Sequence, residues 1–471
     1  MGLIFARLFF SGVIVNMGAK RRISLFLTIG LIVLALCFLG WFLRIIFEGE
    51  KPFIEVTPLP EFISGSETFT LSVSDMKRGL KSLEVSVRQE GKKTSVFEKT
   101  FTFKGFLNCE GVHSFETEFS IDPSRIKLTQ GRADLEIRVW DYSRKNGGDG
   151  NFSVVEHKMV VDTIPPAIAP VSRMHNVNLG GTGLVIYRTS SDTVESGLVV
   201  NSHFFPGFPA QDATKEGLYL CYFAMPYNTK ANPEVYLTAK DKAGNKSRSG
   251  FYYHIRRKRF RSDRINISDR FLRRVLPYFS SEIPDSGASD IKKFLWVNRD
   301  LRKENSAVFY DLRSKSGPDQ LWKGTWLRLK NAAPMAGFGD HRSYLYKGKK
   351  IDKQVHLGVD LASLASSKVK AANNGRVILA ERIGIYGLTV VLDHGQGLAS
   401  SYSHLSKIDV TVDQELMKGE TLGLTGQTGL AGGDHLHFGI MVSGICVNPV
   451  EWWDAHWIRD NVTKKLALLK K

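Results

Sequence analysis

The sequence predicts a mainly β protein: an N-terminal transmembrane helix, two β-sandwich-like modules, a helical connector and a C-terminal antiparallel-β domain. Three observations lead to this prediction. Residues 23–43 form an uncharged run rich in Leu and Ile. From residue 51 to 255, short segments alternate apolar and polar residues with the period of two that is typical of strands. Beyond residue 331, apolar runs are separated by glycine-rich turns.

Length and composition shifts set the domain boundaries. A chain of 471 residues is too long for one ordinary core and predicts about three folded units. We predict five segments along it: 1–50, the cytoplasmic N-terminus and membrane anchor; 51–165, a β-sandwich-like module; 166–255, an Ig-like β module; 256–330, a basic and partly helical connector; and 331–471, the C-terminal domain with its tail.

The N-terminal apolar run is long enough, as a helix over residues 23–47, to span the hydrocarbon core of a bilayer. Lys20, Arg21 and Arg22 directly precede it, so the positive-inside rule predicts a cytoplasmic N-terminus and a chain body across the membrane. A cleaved signal peptide is the alternative. Against it, 39–46 contains no small-x-small cleavage site, and the run is longer than an ordinary signal core.

A second apolar stretch, Leu3 to Val15, is too short to span a bilayer. Met17 stands just before the basic cluster and is an alternative start to Met1. The functional prediction does not depend on which methionine is used.

The first module is predicted from three strand-like segments, Thr68 to Val73, Leu83 to Val87 and Asp134 to Trp140. Many short strands punctuated by turns favour a β-sandwich. The consecutive prolines in Asp162-Thr163-Ile164-Pro165-Pro166 predict a stiff linker after this module.

The second module ends with a strand-like segment, Val235 to Ala239, followed by Lys240-Asp241-Lys242-Ala243-Gly244-Asn245. Together with the Asp-Thr-x-Pro-Pro entry, this exit resembles bacterial Ig-like repeats of cell-surface proteins. The resemblance implies spacers or substrate-presenting modules, and a pure scaffold role stays open.

The connector begins with a basic run. Residues 256–274 contain nine Arg or Lys against two acids. Nucleic-acid binding is one interpretation, but past a membrane anchor an anionic envelope polymer, phospholipid head groups or simple solvation fits better. The net charge of +17 also favours anionic surfaces. Helices are predicted at Asp269 to Tyr278 and Asp290 to Lys303, beside the C-terminal domain.

Three short segments of the C-terminal domain concentrate its chemistry. They are His356-Leu-Gly-Val-Asp360, Ser403-His404-Leu405 and Asp434-His435-Leu436-His437-Phe438. In strands, alternate residues share a face, which would pair His356 with Asp360 and His435 with His437. A catalytic zinc takes three ligands from His, Asp or Glu and keeps a fourth position for water. The segments therefore predict a zinc site.

These patterns, H-x-x-x-D and H-x-H with Ser-His-Leu between them, resemble the lysostaphin/LytM-type zinc metallopeptidases that cleave peptidoglycan peptides. Neighbouring motifs are similar too: Val359-Asp360-Leu361-Ala362, Ala371-Ala372-Asn373-Asn374-Gly375, Thr425-Gly426 and Asn448-Pro449. The resemblance covers roughly residues 331–457. It implies an antiparallel-β fold, Zn²⁺ as the cofactor and peptidoglycan as the substrate.

Matched residue by residue, the resemblance implies His356, Asp360 and His437 as zinc ligands. It implies His435 as the general base or as the group that polarises the attacking water, and His404 as the group that orients this water or stabilises the oxyanion. A histidine near neutral pH suits proton transfer. One departure is the segment Phe338-Gly339-Asp340-His341-Arg342, which is one residue longer than the family's usual F-G-x-R.

The remaining histidines and the cysteines have no such role. We interpret His341, His394 and His456 as structural or surface residues, with His394 at the start of a hairpin turn. Cys37 falls in the predicted membrane helix. One cysteine falls in each of the three predicted folded domains, which leaves no intradomain disulfide and no zinc-finger spacing: Cys109, Cys221 and Cys446.

The sequence therefore predicts a single-pass protein of the bacterial cytoplasmic membrane, with a zinc endopeptidase facing the periplasm and cell wall. Peptidoglycan and the membrane are the expected partners, an envelope regulatory protein is a further candidate, and nucleic acid is not expected. Two alternatives remain: a non-enzymatic activator of other cell-wall hydrolases, and an adhesin that binds through its Ig-like modules.

Overall fold

A computed structural model describes residues 19–210 and 216–470 of the chain. The stretch Leu3 to Val15 and Met17, the alternative start, lie outside the described residues. The chain separates into two compact units, Met1–Ile164 and Pro165–Lys471. The boundary predicted at 165 lies beside this division, and those predicted at 255 and 330 fall inside the second unit and remain predictions.

The first helix, α1, spans Ala19–Ile46. Its segment Ile23–Ile46 is long and apolar enough to cross a membrane by length and composition, and none of its most apolar stretch is buried in the protein. A signal sequence near an N-terminus has the same properties. The helix therefore agrees with the predicted apolar element, while the membrane assignment belongs to the functional proposal.

The first unit contains eight strands after α1. They are β1 Phe53–Thr57, β2 Phe62–Ile63, β3 Glu67–Ser74, β4 Leu80–Gln89, β5 Lys92–Thr100, β6 Ser114–Ile121, β7 Gly131–Asp141 and β8 Phe152–Val161. They form a three-stranded sheet, β1-β3-β6, and a five-stranded sheet, β2-β8-β7-β4-β5. Alternating residues such as Leu71, Val73, Val85 and Ile137 are fully buried in one core. This alternation explains why the strands could be predicted from the sequence.

The second unit begins with ten short strands, which are β9 Ile168–Pro170, β10 Asn176–Asn178, β11 Thr182–Thr189, β12 Thr193–Val200, β13 His203–Pro206, β14 Phe208–Pro209, β15 Leu218–Ala224, β16 Val235–Asp241, β17 Lys246–Ser249 and β18 His254–Arg256. Two four-stranded sheets, β14-β15-β11-β9 and β13-β12-β16-β17, account for most of them.

The connector follows with β19 Ser262–Ile267 and three helices, α2 Asp269–Val275, α3 Asp290–Trp296 and α4 Arg302–Asp311. A π-helical turn, Val297–Leu301, joins α3 to α4. Ser268 caps α2, since its side chain accepts a hydrogen bond from the Phe271 amide. Both predicted helical stretches are therefore confirmed.

The C-terminal domain contains the remaining elements. They are β20 Ala333–Ala336, β21 His341–Tyr346, β22 Lys349–Val355, β23 Val359–Ala362, β24 Lys368–Lys370, β25 Gly375–Ile383, β26 Gly387–Gly395, β27 Leu398–Leu405, β28 Lys407–Ile408, β29 Glu415–Leu416, β30 Thr421–Leu424, β31 Leu436–Val442, β32 Ile445–Val447, α5 Val450–Trp453, α6 Ala455–Ile458 and α7 Lys464–Leu466. Its main sheet has the order β20-β23-β31-β27-β26-β25-β29. Strand β31 therefore lies between β23 and β27, which brings the three predicted segments side by side.

The core of the second unit is continuous across the predicted boundaries. One cluster of buried side chains contains Val177 and Tyr222 of the second β module together with Phe438 and Trp452 of the C-terminal domain. The C-terminal tail adds a polar link, because the buried Lys465 ammonium donates to the Leu184 carbonyl at 2.8 Å. The second β module and the C-terminal domain are thus packed as one body.

Candidate metal centre

Three side chains converge in the main sheet of the C-terminal domain. Nε2 of His356 lies 2.9 Å from Oδ1 of Asp360 and 2.9 Å from Nδ1 of His437. Nδ1 of His437 lies 2.8 Å from the same Asp360 oxygen. All three residues are buried. Two nitrogens and one oxygen therefore face a common point.

Strand pairing explains how two of these residues meet. Asp360 in β23 is the direct antiparallel partner of His437 in β31. His356 precedes β23, so the strand expected over 356–361 is shorter than predicted, and a reciprocal pair of backbone hydrogen bonds with 339–340 positions His356 instead. A Cβ at Gly358 would lie 2.5 Å from the His437 ring, so only glycine fits between the two ligand segments.

Neighbouring groups select which atoms face the centre. Nδ1 of His356 donates to the Gly337 carbonyl at 2.9 Å, which leaves the Nε2 lone pair for a ligand. Arg342 donates from Nη2 to Oδ2 of Asp360 at 2.9 Å, which leaves Oδ1 directed at the two histidines. These outer contacts define one donor atom on each residue.

The donor set fits a zinc ion. Lone pairs on adjacent nitrogen and oxygen atoms repel one another at such distances unless a proton or a cation lies between them. Two imidazoles and one carboxylate are a usual protein ligand set for catalytic zinc, which leaves one position for water. The three ligand atoms lie within 4.8 Å of one another.

Two more histidines border this centre. Nε2 of His435 lies 3.6 Å from Oδ1 of Asp360, and the His404 and His435 rings are 4.8 Å apart between centroids. Nδ1 of His435 donates to the Gly433 carbonyl, and Nδ1 of His404 donates to the Thr428 carbonyl, both at 2.8 Å. In their neutral forms both rings therefore present Nε2 as a hydrogen-bond acceptor.

His404 adopts an unusual backbone conformation. Its φ of +63° lies in the left-handed region, which a non-glycine residue adopts at a cost of about 1–3 kcal/mol. The strain occurs at the end of β27, where the ring must turn toward β31. Such outliers are concentrated at functional sites.

Burial and charge set the protonation of these groups. Burial lowers the pKa of His404, and the neighbouring His435 and His437 lower it further, so His404 is neutral. Burial also lowers the pKa of His435, but the Asp360 carboxylate 3.6 Å away outweighs this effect and the net pKa is raised. Burial raises the pKa of Asp360, yet the three histidines around it hold this pKa well below its usual range.

A family model decides the identity of this region. Residues 354–449 match the model described as peptidase family M23. The C-terminal domain is an M23 peptidase domain. The lysostaphin/LytM-type resemblance inferred from the motifs is therefore confirmed.

Several curated proteins are similar to this chain over about a fifth of its length. Over 97 residues it is 34% identical to the DD-carboxypeptidase/endopeptidase Mpg of Neisseria meningitidis, covering 21% of this chain and 22% of Mpg. Over 95 residues it is 37% identical to the murein hydrolase activator EnvC of Escherichia coli, covering 20% of this chain and 23% of EnvC. Over 96 residues it is 35% identical to the peptidoglycan DD-endopeptidase ShyA of Vibrio cholerae, covering 20% of this chain and 22% of ShyA. The chain thus spans less than a quarter of these relatives' length.

Solved structures give a weaker likeness. A putative M23 peptidase from Pseudomonas aeruginosa is 22% identical, with 59% of this chain and 95% of that chain covered at a TM-score of 0.37. The catalytic domain of lysostaphin from Staphylococcus simulans is 26% identical, with 28% of this chain and 98% of that domain covered at a TM-score of 0.24. At these scores the comparison adds no argument about function.

The cavity at the M23 centre is small. It measures about 100 Å³, whereas clefts that take drug-sized ligands measure about 300–1,000 Å³. The five predicted site residues all line it, together with six further residues: Arg302, Arg342, Ile385, Tyr386, Leu430 and Gly432. Side chains from several elements form the walls of this cavity.

The connector forms part of those walls. We call residues Asp269–Asp311, which include α2 to α4, the connector cap. Val297 and Leu301 of the cap are buried in one cluster with Ile385, and Arg302 lines the cavity itself. Arg274 of the cap donates to the carbonyl of Gly432, another residue that lines the cavity, at 2.9 Å. The cap therefore contacts the cavity lining at more than one point.

The other histidines of the M23 domain lie outside the cavity lining. His394 is buried between the Asn374 carbonyl at 2.6 Å and the Ser400 hydroxyl at 2.8 Å, and its burial lowers its pKa to about 4. His341 and His456 are exposed. These positions agree with the structural and surface interpretations.

Arg342, Arg302 and Tyr386 are site residues that the motifs did not identify. Arg342 belongs to the segment one residue longer than the family's usual pattern, and this departure was the available signal. Arg302 lies in the connector, so only the tertiary fold brings it to the cavity. Burial raises the pKa of Tyr386 to about 12, so its hydroxyl stays protonated beside His437.

Proposed function

We propose that this protein is a membrane-anchored zinc metalloendopeptidase that hydrolyses peptide bonds in peptidoglycan stem peptides or cross-bridges. The observation that carries the proposal is the convergence of one atom each from His356, Asp360 and His437, with two acceptor histidines beside them. The named activities of the relatives Mpg and ShyA support the substrate class over the matched residues.

In this proposal His356, Asp360 and His437 are the ligands of the metal. Zinc, when bound, supplies a Lewis acid for the scissile carbonyl and lowers the pKa of a coordinated water. Arg342 keeps Oδ2 of Asp360 engaged, so the carboxylate binds through Oδ1 alone. The Gly337 carbonyl fixes the tautomer of His356 for the same purpose.

His435 is the proton acceptor in this proposal. Its Nδ1 hydrogen is engaged by the Gly433 carbonyl, so Nε2 is the nitrogen that takes the proton of the attacking water. Asp360, 3.6 Å away, stabilises the imidazolium that results. The same Nε2–H then donates to the leaving amine nitrogen, which completes the hydrolysis of the amide bond.

His404 orients the attacking water. The neutral ring has no hydrogen on Nε2, because Nδ1 donates to the Thr428 carbonyl and the pKa is depressed by burial. A bare nitrogen accepts a hydrogen bond from water but does not donate one to an oxyanion. Of the two roles implied by the resemblance, the structure therefore favours orientation of the nucleophile.

Anchoring through α1 would position the enzyme at the outer face of the bacterial cytoplasmic membrane. Its uncharged segment and the preceding Lys20, Arg21 and Arg22 support a single span with the N-terminus inside. Across that membrane, the M23 domain would face peptidoglycan.

A non-enzymatic role as an activator of other cell-wall hydrolases is the second candidate. The similarity to EnvC and the small volume of the cavity favour it. The intact donor set favours the enzyme, because an activator needs no metal ligands.

The test is digestion of purified sacculi by the full-length protein in detergent, with released muropeptides identified by mass spectrometry. We expect cross-linked species to disappear and the product masses to name the bond. His437→Ala should release nothing, whereas His456→Ala, an exposed histidine of the same domain, should act as wild type. Bound zinc, measured by elemental analysis, should be about one per chain and absent in His437→Ala.

Zinc binding without hydrolysis, even after the cap is loosened, would contradict the enzyme and support the activator. Hydrolysis that survives His437→Ala would contradict the assigned centre.

A further inference from the structure

The first unit contains three buried carboxylates at the point where α1 meets the β module. Glu48 follows α1, Asp75 follows β3, and Asp141 ends β7. Their exposed fractions are 8%, 2% and 0%. One oxygen from each carboxylate lies within 4.8 Å of the others. Nothing in the proposed hydrolysis uses these residues.

Backbone amides and the Asn151 side chain donate hydrogen bonds to most of the carboxylate oxygens. Asp141 accepts from the amides of Ser143 and Asn151 through Oδ1 and from the Asn151 side chain through Oδ2. Glu48 accepts from the Glu50 amide and from the same Asn151 side chain. These contacts orient the carboxylates without neutralising them.

Asp75 retains one oxygen for a ligand. Its Oδ1 accepts from the backbone amides of Arg78 and Gly79, both at 2.7 Å. Its Oδ2 is buried and has no hydrogen-bond partner among the residues that the structure describes. Since two amides fix Oδ1, Oδ2 is the oxygen available beside Glu48 and Asp141. A buried carboxylate oxygen without a partner is costly, and it indicates a missing positive ligand.

The surrounding cations do not balance the three charges. Within residues 19–210 and 216–470, no ion pair joins Lys or Arg to any of the three carboxylates. Arg78 interacts electrostatically with all three, but its guanidinium donates to the carbonyls of Leu107 and Tyr142. Lys77 pairs with Glu50 instead. Arg78 supplies one positive charge to the region, and a divalent cation would balance the remaining two.

The protonation of the cluster is consistent with this imbalance. Burial raises the pKa of Asp75, and repulsion from Asp141 adds to it. Burial also raises the pKa of Glu48, with Asp141 and Asp75 contributing. A bound cation would reverse both effects.

The second unit repeats part of the arrangement. Asp241 accepts from the amide and the side chain of Asn245, as Asp141 does from Asn151. Asp192 has an oxygen within 4.8 Å of Asp241 and a buried Oδ1 that has no hydrogen-bond partner in the described part of the chain. The Asp–Asn pair is therefore a feature of both β modules, and the proposal for the first unit depends on Glu48 and Asp75.

We propose that Glu48, Asp75 and Asp141 bind a calcium ion that fastens the end of α1 to the first β module. An all-oxygen set of buried carboxylates matches Ca²⁺, which takes six to eight oxygens in flexible geometry, better than zinc. The ion would reinforce contacts already present, since Ser143 and Asn151 donate to the Glu48 carbonyl. Calcium would thereby stiffen the joint between the helix and the module.

The experiment is calcium titration, followed by calorimetry, of the full-length protein in detergent after EGTA treatment, removal of the EGTA and resaturation with zinc. We compare Asp75→Asn with Asp122→Asn, because Asp122 also accepts two backbone amides in a turn of the same module but is partly exposed. We expect Asp75→Asn to lose one equivalent of bound calcium or to bind it at least ten-fold more weakly. Asp122→Asn should bind as wild type.

Thermal unfolding distinguishes the loss of a calcium site from a general loss of stability in Asp75→Asn. With calcium, Asp75→Asn should unfold at a lower temperature than wild type. With EGTA, it should unfold at the same or a higher temperature, because it removes an unbalanced buried charge. Glu48→Gln should behave in the same way.

Equal calcium stoichiometry and affinity in wild type and Asp75→Asn would overturn the proposal. Destabilisation of Asp75→Asn by the same amount in calcium and EGTA would also overturn it, since Asp75 would then be a turn residue only. If Asp75→Asn weakened the binding of magnesium more than the binding of calcium, the choice of calcium would be overturned.

Discussion

Two clusters of buried ligand groups, one in each unit, differ in chemistry while they are alike in geometry. In each, three donor atoms lie within 4.8 Å of one another, and every contributing side chain is buried. The M23 centre combines two imidazoles with one carboxylate, whereas the cluster of Glu48, Asp75 and Asp141 has carboxylates alone. Nitrogen ligands favour zinc, and hard oxygen ligands favour calcium. The same compact geometry therefore carries two donor sets that suit different metals.

The two clusters also differ in how their charge is compensated. In the M23 centre Arg342 donates directly to Asp360, and three histidines surround the same carboxylate. In the carboxylate cluster of the first unit, Arg78 donates to backbone carbonyls instead, and the three carboxylates lie close to one another. Neighbouring side chains thus compensate the charge of the first cluster, whereas no Lys or Arg among the described residues pairs with the second.

The largest effect should come from removing a nitrogen ligand. His437→Ala should lower hydrolysis of peptidoglycan by about 10³-fold or more, because removal of the metal removes both carbonyl polarisation and the activated water. Asp75→Asn should leave hydrolysis of a soluble cross-linked muropeptide unchanged. Rates measured by chromatography of the products check both. A similar loss in both variants would mean that the clusters are coupled.

At Glu451, another buried carboxylate, a proton neutralises the charge where the two clusters would use a metal ion. It accepts from Asn178 and the Thr182 amide, and burial raises its pKa from 4.5 to about 7. The folded state therefore binds the proton more tightly than the unfolded state. Stability is fully present below pH 4.5 and falls by about 3 kcal/mol as the pH rises to 7.

Urea unfolding of wild type and Glu451→Gln between pH 4.5 and 8, followed by tryptophan fluorescence, measures this effect. The variant should lose most of this pH dependence. Identical pH profiles for the two proteins would show that Glu451 is ionised in the folded state, as a paired carboxylate would be.

Removal of one metal at a time should separate the two clusters. 1,10-Phenanthroline should stop hydrolysis and leave the unfolding of the first unit unchanged. Dialysis against calcium-free, zinc-containing buffer should leave hydrolysis unchanged, while it removes the stabilisation by calcium, about 2.7 kcal/mol when calcium stands at 100 times its Kd. Calorimetry and product release, measured on one sample, check both treatments. If removal of calcium had no effect on the first unit, the proposed calcium site would be wrong.

A smaller effect should come from loosening the connector cap. Leu301→Ala weakens the cap where it packs on Ile385, beside the M23 cavity. If the packed cap limits the access of substrate to the cavity, kcat/KM should rise several-fold. Each 1.4 kcal/mol by which the variant destabilises this packed arrangement raises kcat/KM by up to about 10-fold. The matched control is Leu312→Ala, the same truncation in a different core cluster. Equal changes in both variants would indicate general loosening instead of gating.

The sequence was most informative where the chemistry is local. His356 and Asp360, or His435 and His437, stand a few residues apart, so motif and strand period bring them together without knowledge of the fold. The strand segments were predictable for the same reason, since alternation marks one buried face. The strand expected at His356 was wrong in detail, because turn hydrogen bonds with residues 339–340 position this ligand.

Distant contacts left no pattern to detect. Arg302 reaches the M23 cavity through the packing of α4, and Arg342 reaches Asp360 through the pairing of β19, β21 and β22. Glu48, Asp75 and Asp141 come from three separate parts of the chain, and isolated acids are common on surfaces. The continuous core that joins Tyr222 to Trp452 is likewise a tertiary property, invisible in a domain assignment based on composition.

That shared core has a consequence for the exchange of domains. The buried Lys465 ammonium on the Leu184 carbonyl and the aromatic contact between Tyr222 and Trp452 mean that the peptidase cannot be cut out at residue 331 without exposing its hydrophobic interior. Recombination or gene fusion would have to transfer residues 165–471 as one cassette. A chimera joined at the Ile164–Pro165 boundary should remain soluble, whereas one joined at 331 should aggregate.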